Sequence, residues 1–152
     1  MKRIICIGNR NGERDDVGPH VFDRLMRGAR PTDVEIIDGG PAGLDLLHYT
    51  DGAECVVFVD AFPTGEDDRG VTVWTADCVA VATPSDGAGG LALLLRGMPS
   101  ARERKAPIVW VVGVSGTPED WKIEDAADWA LHLARTGRAL RLYRRRNLTV
   151  TA

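Results

Sequence analysis

The run Cys55-Val56-Val57-Phe58-Val59 constrains the fold more than any other segment, because five consecutive apolar residues leave no polar face. A strand with one wet face alternates inward and outward residues. A strand covered on both faces is apolar throughout, as in parallel sheets sandwiched between helices. The run closes on Asp60. A strand of this kind belongs at the centre of a sheet, so its terminal acid projects into the crevice beyond the strand ends, where open α/β sheets bind ligands. A turn cap ahead of Pro63 accounts for the same aspartate without any function.

The rest of the chain alternates in the same sense. Strands are predicted at Arg3 to Ile7, Glu35 to Ile37 and Ile108 to Val112, with Val71 to Thr75 as an edge or hairpin strand. Helices are predicted over about Asp16 to Met26, Ala42 to Tyr49, Gly90 to Arg96 and Glu124 to Ala134, the last stopped by Gly137. This order predicts an α/β fold, a three-layer αβα arrangement with a mainly parallel, about five-stranded sheet flanked by helices. The 152 residues are expected to form a single domain, 1–152, large enough to bury a core without disulfide or metal staples.

Composition narrows the class of partner. A formal net charge of −3 argues against a general nucleic-acid binder, and the late cluster Arg138, Arg141, Arg144, Arg145 and Arg146 reads as a solvated edge. No apolar stretch approaches the ~20 residues of a membrane span. Met1-Lys2-Arg3 leads straight into a strand with no signal-peptide pattern. Cys6, Cys55 and Cys78 form no CxxC pair and read as small residues in a reducing compartment, so a cytoplasmic protein without membrane or nucleic-acid partners is expected.

Unusual polar residues gather at the predicted strand ends. Asp15 and Asp16 lie between the first strand and first helix, where a carboxylate can cap orphan N–H groups. Two adjacent acids exceed the need of one cap, which leaves at least one free to face the crevice. Asp38 closes the second strand and is followed by Gly39-Gly40-Pro41-Ala42-Gly43, where glycines permit positive φ and close approach of another backbone. Ser85-Asp86-Gly87-Ala88-Gly89-Gly90 precedes the third helix, but it matches neither the dinucleotide fingerprint nor a P-loop. The result is a crevice rimmed by carboxylates, compatible with hard divalent cations and with transition metals. His20, His48 and His132 read as surface, cap and packing residues, and no Ser/His/Asp triad can be assembled. Trp121, in the loop after Gly113-Val114-Ser115-Gly116, is the aromatic placed to reach the rim.

Taken in order, several segments carry a family likeness. They are Gly8-Asn9 with Asp15, Val17-Gly18-Pro19, Ile37-Asp38-Gly39-Gly40-Pro41-Ala42-Gly43-Leu44-Asp45-Leu46-Leu47, Val57-Phe58-Val59-Asp60-Ala61, Gly90-Leu91, and Val112-Gly113-Val114 with Trp121 behind it. Through them the chain resembles the hydrogenase maturation proteases. These endopeptidases remove the C-terminal extension of the large-subunit precursor of nickel–iron hydrogenases. The resemblance implies a hydrolase whose metal site holds nickel supplied by the substrate, and whose partner is the hydrogenase large-subunit precursor. It implies Asp15 and Asp60 as metal ligands, and Asp38, Gly39 and Gly40 as substrate-binding residues. The family's third ligand is a histidine, and here that position is Gly87 with Asp86 beside it. Asp86 or a water is the expected replacement, and an all-oxygen donor set suits a harder divalent cation better than nickel. The catalytic residue is left unassigned. The competing expectation is a catalytically impaired homologue that binds a peptide or the precursor without cutting it.

Overall fold

The computed structural model describes residues 1–11, 16–28, 31–41, 43–61, 70–82, 90–98, 106–139 and 149–151. Six strands form one sheet: β1 (Lys2–Ile7), β2 (Val34–Gly40), β3 (Cys55–Ala61), β4 (Val71–Thr75), β5 (Ile108–Val114) and β6 (Thr149–Thr151). Their order is β2-β1-β3-β5-β4-β6. All five expected strands are present, and the first four in that order run parallel. β4 is antiparallel to β5, and the three-residue β6 pairs in parallel along its far side. Val71–Thr75 is therefore not the edge strand that its turn-rich flank suggests.

Side chains alternate between two core layers. Ile4, Cys6, Val57, Val59, Val112 and Val114 face α1 (Val17–Arg27) and α4 (Asp120–Thr136). Ile5, Ile7, Val56, Phe58 and Val111 face a 3-10 helix, Leu44–Thr50, together with α2 (Ala76–Ala82) and α3 (Gly90–Gly97). This period of two explains why β3 shows no polar face: both of its sides are covered. The helix expected from Ala42 to Tyr49 is this 3-10 helix, and α2 was not anticipated. α4 begins earlier than expected, at Asp120, and ends at Gly137, which adopts φ +65° and returns its N–H to the Leu133 carbonyl.

The chain leaves β1 through α1 to reach β2 on one side, then returns through the 3-10 helix to β3 on the other. Connections thus diverge above β1 and β3, which opens a crevice at their carboxyl ends. Close packing of backbone shapes that end. A Cβ on Gly18 would stand 1.9 Å from the Ile7 carbonyl oxygen, so the first turn of α1 rests directly on the end of β1.

Candidate functional site

The crevice is built from three strand ends. On β2, the register with β1 slips between Cys6, opposite Asp38, and Ile7, opposite Gly40, so Gly39 is the extra residue of a bulge. Each glycine has its own reason. A Cβ on Gly39 would come within 2.9 Å of Ile5 Cγ2 and 3.1 Å of the Cys6 oxygen, whereas Gly40 needs φ +62°. The Gly40 carbonyl accepts the Gly8 N–H at 2.9 Å, which ties the start of the β1–α1 loop to the bulge. Around Gly40 and Gly43 no atom of the described residues, their chain neighbours aside, lies within 4 Å of a built Cβ, so among those residues this part of the rim is open.

Asp38 stabilises that rim from within. Its carboxylate accepts Arg10 Nε at 2.7 Å and the Gly40 N–H at 3.3 Å. The other side of the Arg10 guanidinium grips Asp23 of α1 in two bonds of 2.8 and 3.2 Å, and the group lies 5.5 Å from the centre of the Phe22 ring. Arg10 thereby joins the β1–α1 loop, β2 and α1. Sequence alone did not single it out, because its partners lie 28 and 13 residues away.

Asp60 stands at the carboxyl end of β3, half-buried, one step beyond the Cys6–Val59 pair of the β1–β3 ladder. Burial in the crevice pushes its carboxyl up to about 7; the Ala61 N–H works against the shift, and the negative charge of Asp16 adds to it. Asp16 reaches this position because Gly8 has no side chain: a Cβ there would meet the Asp16 Cβ at 2.9 Å and Pro19 Cδ at 2.6 Å. Asp16 occupies the N-cap of α1 but makes no side-chain cap bond. Its carboxylate accepts the Asn9 N–H instead, at 2.6 Å. Helix capping thus fails to account for Asp16, which becomes the second carboxylate of the crevice among the described residues. Asp15, Asp86 and Gly87 lie outside those residues. Among the described residues no three His, Cys, Asp or Glu side chains gather as a metal-binding group.

The far end of the rim, beyond β3, has a different character. Trp121 is there, in the first turn of α4 rather than in a loop, with 43% of its surface exposed. Behind it Lys122 is fully buried, its Nζ donating to the Ser115 carbonyl at 2.9 Å and pairing with Glu119 at 3.2 Å.

Fold and crevice together define an open α/β protein whose switch point carries acidic side chains beside a glycine-rich, open strand end. More particularly, the chain has the fold of the hydrogenase maturation endopeptidases. The hydrogenase maturating endopeptidase HybD from E. coli superposes with a TM-score of 0.71 at 22% identity, covering 90% of this chain and 94% of that one. An endopeptidase from Escherichia coli solved in solution gives 0.69 at 24% identity, covering 89% and 94%. The [NiFe] hydrogenase maturation protease HycI from Thermococcus kodakarensis KOD1 gives 0.60 at 21% identity, covering 88% and 89%. No family model matches the sequence, and no curated protein matches it either.

Proposed function

We propose that the chain is an endopeptidase that removes the C-terminal extension of a nickel–iron hydrogenase large-subunit precursor, with the nickel supplied by the substrate. The observation that carries this reading is Asp60. It is an acid held half-buried at the switch point of the maturation-endopeptidase fold, with Asp16 nearby and the open Gly39-Gly40 rim on one side. A carboxyl that titrates near neutrality is not a solvated surface acid; it is poised to exchange its proton for a cation.

In this reading Asp60 and Asp15 add oxygen ligands to the precursor's nickel, with Asp86 in the place that the family gives to histidine. Held by those carboxylates, the metal would supply Lewis-acid polarisation of the scissile carbonyl or of an attacking water. The backbone of Gly39 and Gly40 lines the path of the extension, and Asp38 holds that backbone in shape through the Gly40 N–H. Oxygen donors alone favour harder cations than nickel, so the substrate's own ligands would have to supply the softer atoms. The partner is the large-subunit precursor in the cytoplasm. No described helix is long and apolar enough to cross a membrane.

Purified chain incubated with nickel-loaded precursor should yield a shortened large subunit by mass spectrometry, and Asp60→Ala or Asp15→Ala should leave the precursor intact. One observation favours a second reading. Gly87 offers no side chain where the family has a ligand, which suits a module that holds the precursor without cutting it. Uncut precursor co-eluting with the wild-type chain would establish that reading and dismiss the first.

A further inference from the structure

We infer that Trp121 is a specificity-determining residue, whose exposed indole receives an apolar side chain of the peptide substrate about three residues from the bond held at Asp60. This rests on the endopeptidase reading and adds a subsite to it.

The topology places Trp121 on the same rim as Asp60. Ala61 of β3 and Val71 of β4 both pair with Val114 of β5, so the three strand ends form one row. Gly70, the residue before β4, is joined to Ser115 just beyond β5. The Ser115 N–H donates to the Gly70 carbonyl at 2.9 Å, and the Gly70 N–H donates to Ser115 Oγ at 3.2 Å. The six-membered edge of the Trp121 indole lies on Gly70, where a Cβ would be 2.4 Å from Cη2.

An exposed aromatic residue alone would mean little. What distinguishes Trp121 is that its seat is constructed. Gly70 has φ +74° and no side chain, and both conditions are needed for the ring to lie there. The Lys122 ammonium, buried beneath Ser115 and paired with the exposed Glu119, stands 5.5 Å from the ring centroid. Gly70 and the buried Lys122 thus hold the indole from the protein side, while Trp121 keeps 43% of its surface exposed. The indole is fixed in orientation with part of it offered to solvent.

Distances along the rim define the occupant. Strands lie about 4.8 Å apart, so Gly40 on β2 and Gly70 beside β4 are separated by four spacings, roughly 19 Å, with β3 midway. An extended peptide rises about 3.3 Å per residue, so some six residues would bridge the rim and about three would separate Asp60 from Trp121. A charged side chain laid against the indole would have to give up hydration. An apolar side chain meets no such penalty and gains from contact with the ring.

The test compares wild-type chain with Trp121→Ala, Trp121→Gln and Trp121→Phe on nickel-loaded large-subunit precursor, with the melting temperature of each recorded. Loss of the ring should raise KM roughly tenfold, the weight of one buried aromatic contact, while kcat stays within about twofold. Phe should restore most of the affinity. An unchanged KM in both Trp121→Ala and Trp121→Gln, or a fall in kcat at constant KM, would overturn the subsite while leaving the endopeptidase reading intact. Failure of the wild-type chain itself to shorten the precursor would overturn that reading and this one with it.

Discussion

Replacing Asp60 by Asn should stabilise the protein, and the gain should depend on pH in a way that isolates the crevice carboxyl. Asn resembles the protonated acid in shape but cannot ionise. The Asp60 carboxyl is raised from the ordinary 3.8 to about 7, chiefly by burial, so the folded chain binds its proton more tightly than the unfolded chain does. Folding is therefore unpenalised below about pH 4, loses stability as pH rises, and bears the whole cost above about pH 7. Linkage with these two values gives a loss of about 2 kcal/mol at pH 5 and about 4 kcal/mol at pH 8. The stability difference between Asp60→Asn and wild type should accordingly widen by about 2–3 kcal/mol between pH 5 and pH 8. Urea unfolding at the two pH values measures it directly. Thermal melting should show the same trend, as a change of roughly 5–10 °C in the gap between the two proteins. Parallel pH profiles would show that Asp60 is a solvated acid and would remove the physical basis of the site.

Two further substitutions test how the crevice is built. Gly18→Ala places a methyl 1.9 Å from the Ile7 oxygen, so α1 must lift from the end of β1; urea denaturation should show a loss of about 3 kcal/mol, and an unaffected midpoint would disprove the close approach. Arg10→Lys keeps the charge but loses the fork that holds Asp38 and Asp23 together. Because these pairs are well exposed the cost should be small, and it should shrink in high salt, which unfolding at two ionic strengths can check.

The layered architecture was legible because it is a matter of local pattern. The apolar stretch at β3, the glycine stop at Gly137 and the strand–helix alternation each state their surroundings within a few residues. α2 was missed because Ala76–Ala82 is short and gives little distinction between its faces. β6 was missed because three residues after a basic run carry no usable periodicity.

At the site, Asp60 and the Asp38-Gly39-Gly40 turn could be nominated from sequence, but their roles could not be apportioned. Asp38 looks like a free crevice acid until Arg10 is seen to occupy it. Asp16 looks like a helix cap until its carboxylate is found on the Asn9 N–H, on the side toward Asp60. Nothing near Lys122 in sequence announces a buried cation, because its burial depends on Ser115 and the start of α4 closing around it.

Sequence alone settled where five of the six described strands lie, which ends carry acids, and that helices must cover both faces of the sheet. These follow from side-chain polarity and from periods of two and near four, which act over neighbouring residues. Tertiary structure decided which acids share one crevice, which are neutralised, and that Trp121 rests on Gly70 while keeping part of its surface exposed. Those outcomes depend on a one-residue bulge at Gly39, on the contact of Gly18 with Ile7 and on strand order. The physical reason is that a side chain's charge is set by what burial removes and what partners restore, and both come from residues far apart along the chain.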